Sequence, residues 1–206
     1  MKKPDNSSIL NVCLIPSEGV SKLCEQASQS LKSKDTMFVL GDGKFAHMTV
    51  FMARFANQDI EKVAKLVDEA VAEFKTFDCT HKGFFITDGR YYEVSYAKSE
   101  PLMKLQQTLI DKISSLRINP GRPFEESYFA PYNEQQQQNA AQTGYDLAGD
   151  LYRPHVTLTR YNEGCTPKEI TMPDDMDLSF KASKICLYLA DDNGAVYEKI
   201  AGYNLL

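Results

Sequence analysis

Apolar positions along the chain follow two rhythms. "ILNVCLI" near the start is a short β-rich run, and from Glu18 to Ser33 the residues Val20, Leu23, Cys24, Ala27 and Leu31 recur at the three- and four-residue steps of one helical face. "TMFVLGDGKFAHMTVFMARF" then reads as two β-rich runs broken by the turn signal "GDG". A second amphipathic helix is predicted from Asp59 to Phe74, carried by Ile60, Val63, Ala64, Val67, Val71 and Phe74. Behind it, "FDCTHKGFFIT", the turn "DG" and "RYYEVSYA" make a hairpin.

The same order then returns. "RYYEVSYA" is a strand, Glu100 to Leu116 is a helix with Leu102, Leu105, Leu109, Ile113 and Leu116 on one side, and "PHVTLTRY" is again a strand. "LSFKASKICLYLA" and "AVYEKIAGYNLL", separated by the turn "DDNG", close the chain. Strand, helix and strand thus occur twice, a repeat of architecture more than of letters, in a chain long enough for one large domain or two small ones. One stretch breaks the symmetry: residues 119–152 are polar and far longer than the usual connection of about 4–6 residues. A lid, a binding loop and a disordered insertion all fit such a segment. Its glutamine run is compatible with a short helix from Asn133 to Ala141, and Tyr128, Phe129, Tyr132, Tyr145 and Tyr152 offer either stacking surfaces or tethers.

Two of the predicted strands carry one pattern, "HMTV" at 47–50 and "HVTL" at 155–158, and they use two of the three histidines in the chain. Side chains alternate across a strand, so His47 and Thr49 share a face while Met48 and Val50 take the other. His155 with Thr157, against Val156 and Leu158, repeats the arrangement. If the halves pack about a pseudo-twofold axis, two imidazoles and two hydroxyls converge on one cleft. An imidazole, with an ordinary pKa of about 6.5, can take a proton in one copy and give one in the other near neutral pH. Threonine hydroxyls can bond non-bridging phosphate oxygens. Such a cleft suits the opening of a phosphodiester without a metal.

Composition narrows the partners. A net charge of −5 argues against a protein that wraps long duplex nucleic acid, which requires a basic stripe to displace counterions. A small anionic ligand needs only local cations, and Lys44, Arg153 and Arg160 stand near the repeated motifs. No apolar run approaches the roughly 18 residues of a membrane span, and "ILNVCLI" has no small-residue cleavage site. Five cysteines, at 13, 24, 79, 165 and 186, show no CxxC spacing; an odd count without a signal peptide predicts reduced thiols and a cytoplasmic location. The third histidine, His81, has no threonine after it and reads as a surface or hairpin residue.

"AHMTV" and "PHVTL" resemble the paired HxT/Sx signatures of the 2H phosphoesterase superfamily, which includes the 2′-5′ RNA ligase-like proteins and the 2′,3′-cyclic phosphodiesterases. The resemblance implies that residues 1–206 form a single domain of two lobes, a bilobal, pseudo-twofold α+β fold with two antiparallel sheets lining a central cleft and helices outside. It implies metal-independent, cofactor-free chemistry on a cyclic or 2′-linked phosphodiester of a nucleotide or RNA terminus, carried by His47, Thr49, His155 and Thr157. It also places Arg160, five residues beyond the second histidine, on the phosphate, although strand parity alone would turn Arg160 away unless a bulge intervenes. "GFF" followed by a turn and "RYYEV" resembles the hairpin beside that cleft, which makes Phe84 and Tyr92 candidates for stacking on a base.

The leading expectation is a hydrolase acting as a monomer, with reversible 2′-5′ ligation by the same two proton-transfer groups as its alternative. A non-catalytic nucleotide-binding module on this fold would not need two titrating groups. A metalloprotein using all three histidines predicts stoichiometric metal.

Overall fold

The computed structural model describes residues 6–41, 43–118, 132–165 and 176–206. Strand β1 (Ser7–Leu14) leads into helix α1 (Glu18–Ser30), whose start is fixed by Ser17: its hydroxyl accepts from the Val20 amide at 3.4 Å, with Glu18 in the first turn. Strand β2 (Met48–Ala56), helix α2 (Ile60–Val71) and strands β3 (Phe77–Cys79), β4 (His81–Ile86) and β5 (Tyr91–Tyr96) follow. Helix α3 (Glu100–Ile113) opens with Pro101, a residue that suits the first turn because no helical partner is lost there. After helix α4 (Glu134–Thr143) come β6 (His155–Arg160), β7 (Phe180–Ala182), β8 (Lys184–Ala190) and β9 (Val196–Asn204).

All strand pairs are antiparallel. A four-stranded sheet has the order β2-β1-β8-β9, a three-stranded sheet the order β4-β5-β6, and β3-β7 is a separate short pair. The architecture is α+β and bilobal. The unit β1-α1-β2 matches β5-α3-β6, and each helix packs on the motif strand of the other lobe, α1 on β6 and α3 on β2. Leu102, Leu105, Leu109 and Ile113 are fully buried along α3. At about 1.5–3 kcal/mol for each such side chain, that stripe holds the helix more firmly than its intrinsic propensity does.

A second symmetry lies in the strand register. In β2, Thr49 pairs with Cys13 and Phe51 with Val12, which leaves Val50 out of the ladder. In β6, Thr157 pairs with Glu93 and Thr159 with Tyr92, which leaves out Leu158. Each motif strand therefore bulges at the fourth residue of its own motif. The bulged residues are buried, and a buried carbonyl requires a donor. The crossed helices supply it: Ser28 of α1 donates to the Leu158 carbonyl at 2.6 Å, and Gln106 of α3 donates to the Val50 carbonyl at 3.1 Å. These two bonds account for two of the buried polar side chains of the core.

The predicted strand "TMFVL" does not pair with β2. It crosses to the other lobe, where Met37 donates to the Arg160 carbonyl at 2.7 Å and the Thr159 hydroxyl donates to the carbonyl of Phe38. It covers the open edge of β6, while the open edge of β2 is taken by the segment after α3, where the Ile118 amide donates to the Arg54 carbonyl at 2.8 Å. Within 119–152, the described part is ordered around α4, whose Asn133 and Gln136 form a capping box. Gly144 ends this helix in the left-handed conformation, φ +88°, where a Cβ would stand 2.7 Å from that of Ala53. Tyr128 and Phe129 lie outside the described residues. All five cysteines are free thiols. Among the described residues no helix is long and apolar enough to cross a membrane.

Candidate active site

His47 directly precedes β2 and His155 is the first residue of β6. Both motifs obey the expected alternation: Met48, Val50, Val156 and Leu158 are fully buried on the far side, and His47, Thr49, His155 and Thr157 all line one open cleft of about 1170 Å³. Both imidazoles are held alike. Nδ1 of His47 lies 3.0 Å from the carbonyl of Phe45, and Nδ1 of His155 lies 2.6 Å from the carbonyl of Arg153, in each case two residues back. A carbonyl can only accept, so Nδ1 carries a proton in both rings, and Nε2 is the nitrogen at which each ring can exchange a proton.

The bulges settle the parity of the next residues. A step of three would turn Arg160 away from Thr157 in a regular strand, yet with Leu158 outside the ladder Arg160 returns to the cleft wall. Its Nε donates to the Gly89 carbonyl at 3.3 Å and its guanidinium lies 4.7 Å from the centre of the Tyr91 ring, leaving an oriented cation at the cleft. The matching position in the other lobe is Met52, which also lines the cleft. The pocket is thus symmetric in backbone and asymmetric in charge.

Lys44 and Arg153 reach the same cleft. Lys44 sits 5.5 Å from the centre of the Phe38 ring. Arg153 stacks 4.5 Å from the centre of Phe85 and forms an ion pair with Glu93, so its charge is largely compensated. Phe84 and Tyr92, expected as stacking residues, lie on the wrong side of the hairpin. Tyr92 is buried in the core, Phe84 packs on Tyr92 and His81, and neither lines the cleft. Strand alternation gives that role to their neighbours Phe85 and Tyr91. His81 does not join the other histidines; it packs edge-on against Phe84 at 5.1 Å. Among the described residues no three His, Cys, Asp or Glu side chains cluster with metal-holding geometry.

Sequence reasoning passed over two polar residues on neighbouring strands. Asn11 of β1 is fully buried and donates to the Thr49 hydroxyl at 2.9 Å, which fills an acceptor position and aims the hydroxyl proton elsewhere. Glu93 of β5 is buried beside His155, with Oε1 3.6 Å from Nε2. A polar residue inside an apolar strand is the signal for both, visible in "ILNVCLI" and "YYEVSY". The described end of the 119–152 segment also contributes to the wall through Tyr132, Gln136 and Asp146.

Burial lowers the pKa of His47 from its ordinary value, since a desolvated imidazole resists charge; positive charge on His155 and Lys44 acts in the same direction. The carbonyls of Phe45 and Gly194 oppose this without reversing it. His47 is therefore neutral near pH 7 and able to take a proton. The cleft can carry out paired proton transfer beside a cation and two hydroxyls.

A family model described as the 2′-5′ RNA ligase superfamily matches residues 26–194. Solved structures share the fold. Escherichia coli LigT complexed with NADP+ aligns with a TM-score of 0.63 at 14% identity over 97% of this chain and 98% of that one. The same protein complexed with 3′-AMP gives 0.63 at 13% over the same shares. TT0787 of Thermus thermophilus gives 0.63 at 16% over 96% and 97%. No curated protein matches. With more than half its length under that family model and two HxT strands facing one cleft, the chain belongs to the 2′-5′ RNA ligase superfamily of 2H phosphoesterases.

Proposed function

We propose that the protein is a metal-independent phosphodiesterase that opens a 2′,3′-cyclic or other 2′-linked phosphodiester of a nucleotide or RNA terminus. The observation that carries this reading is the pair of imidazoles, each with Nδ1 tied to the carbonyl two residues back and each lining the same cleft. One imidazole takes the proton of the attacking water while the other gives a proton to the departing ribose oxygen. Thr49 and Thr157 donate to non-bridging oxygens, and Arg160, assisted by Lys44, faces the phosphate charge. Phe85 and Tyr91 provide the apolar wall for the nucleoside. LigT, which shares this fold, has been solved complexed with 3′-AMP, which supports a nucleotide-sized ligand.

The test is incubation of the protein with chelator and a panel: 2′,3′-cyclic mononucleotides, an RNA ending in a cyclic phosphate, and 2′-5′-linked oligoadenylate. Turnover by the wild type, reduced about 10²- to 10⁴-fold in both His47→Ala and His155→Ala, is expected. Silence across the panel with tight nucleotide binding would replace the enzyme by a binding module.

A further inference from the structure

The two halves of the cleft are alike in backbone, in the tether of each imidazole and in the bulge after each threonine. They differ at the residue paired with each threonine. Opposite Thr49 stands Cys13, fully buried, its thiol pushed well above the ordinary range by burial and therefore uncharged. Opposite Thr157 stands Glu93, equally buried, with Oε1 3.6 Å from His155 Nε2 and its other oxygen paired to Arg153. Arg153 grips the same imidazole from both ends, because its own carbonyl accepts from His155 Nδ1 at 2.6 Å. Its guanidinium is held flat against Phe85 at 4.5 Å. A buried carboxylate is costly unless it is paired, and here the partners are one fixed cation and one titrating ring.

We propose that Glu93 is a positioning residue that makes the two histidines unequal, keeping a proton on Nε2 of His155 so that His155 is the acid and His47 the base. This rests on the phosphodiesterase reading above and deepens it. In the hydrolytic step, water oxygen bonds to phosphorus and the bond from phosphorus to a ribose oxygen breaks. The proton of the water passes to His47 Nε2, and the Nε2 proton of His155 passes to the departing ribose oxygen. Exchange with solvent then resets both rings.

Among the described residues Glu93 is the one carboxylate within 4 Å of His155. The cleft is also lined by Asp88, Arg90 and Tyr91 from β5 and the turn before it, by Arg153, Arg160 and Glu163 from β6 and its flanks, by His47 and Lys44 from β2 and its approach, and by Tyr132, Tyr145 and Asp146 around α4. Asp191 lines the far wall, its Oδ1 taken by the amides of Asn193 and Ala195 at 2.9 Å each. Helix α1, behind β6, buries Val20, Cys24, Ala27 and Ser28 and brings no charge there.

The experiment is Glu93→Gln in the full chain, read in two ways. The first is the pH profile of kcat/KM on a 2′,3′-cyclic mononucleotide. With His155 as acid, loss of the carboxylate moves the alkaline limb down by about one pH unit and leaves the acidic limb in place; Glu93→Asp keeps the charge and restores most of the profile. A uniform loss of rate with both limbs unmoved would reduce Glu93 to a structural role, and movement of the acidic limb would reverse the assignment. The second reading needs no turnover: histidine ring resonances of the free protein, only three in number, are titrated by NMR. The midpoint of His155 is expected to fall in Glu93→Gln while that of His81 stays. An unchanged midpoint in an active enzyme overturns the proposal and spares the phosphodiesterase. A lowered midpoint in a protein inert on every substrate supports Glu93 as the holder of the proton and removes the phosphodiesterase. Should Glu93→Gln fail to fold because Arg153 is stranded, Glu93→Gln with Arg153→Met removes both charges, and the same two readings apply.

Discussion

Ser28 is a small residue with a large expected effect. Its side chain is fully buried on α1 and makes two bonds to backbone: it donates to the Leu158 carbonyl at 2.6 Å and accepts from the Leu40 amide at 2.8 Å. Ser28→Ala removes one oxygen and almost no volume, so the cavity contribution is negligible. It leaves a buried donor and a buried acceptor without this partner, each costing about 1–3 kcal/mol, from which alanine's better helix propensity returns about 0.5 kcal/mol. The net loss expected is about 1.5–5.5 kcal/mol, or roughly 3–20 °C in Tm for a chain of this size. Urea melts followed by far-UV circular dichroism and tyrosine fluorescence measure it, since the chain has eleven tyrosines and no tryptophan. Ser30→Ala, which removes a bond to the Ala27 carbonyl of the same helix, is the control and should stay within about 0.5 kcal/mol. Because Leu158 is the bulge that returns Arg160 to the cleft, KM should rise more than kcat falls. A Ser28→Ala protein as stable as the control would refute the view that the crossed helix secures the bulge.

Stability should also depend on pH through His47. Its pKa is lowered in the folded protein, chiefly by burial, so the native state binds fewer protons than the unfolded chain as pH falls; the penalty is absent above about pH 6.5 and grows down to the folded pKa. His81, also lowered by burial, contributes with the same sign, so His47→Gln should shrink the loss of urea midpoint between pH 7 and 5.5 without abolishing it, and an unchanged loss would count against a buried neutral imidazole. Gly144→Ala should destabilise the protein by about 1–3 kcal/mol, because it adds strain at φ +88° to a contact of 2.7 Å with Ala53; a thermal melt equal to wild type would show that α4 is not seated on β2.

How much of this was legible beforehand depended on the range of the signal. Helical stripes and HxT alternation are local, and α1, α2, α3 and the burial of Met48, Val50, Val156 and Leu158 follow from them. Helix ends were less accurate: Glu18 to Ser33 shortens to Ser30, and Glu100 to Leu116 ends its α-helical part at Ile113, because neither C-terminus carries a glycine or other strong stop residue to mark it. The path of "TMFVL" was not legible, since a β-rich run does not say which edge it will follow. Phe84 and Tyr92 went wrong by one residue for a related reason: in a hairpin rich in aromatics on both faces, alternation names two sets without saying which faces the cleft. Glu93 and Asn11 were visible as polar residues in apolar strands, yet their partners, His155 and Thr49, are distant in sequence.

The bulges let one doubled scaffold present two unlike halves to the cleft. A doubled strand-helix-strand unit presents two identical surfaces, and identical surfaces would bring two cations or two neutral walls to a single phosphate. Displacing one residue from each ladder changes which side chain follows the threonine into the cleft, and it does so without disturbing the histidine before it. Sequence then fills the equivalent places differently: Arg160 against Met52, and Glu93 against Cys13. The backbone symmetry sets two imidazoles, each tied to the carbonyl two residues back, on one cleft. In the phosphodiesterase proposed above, the broken chemical symmetry would give the phosphate a preferred end and the proton a preferred direction, as a reaction with one nucleophile and one leaving group requires.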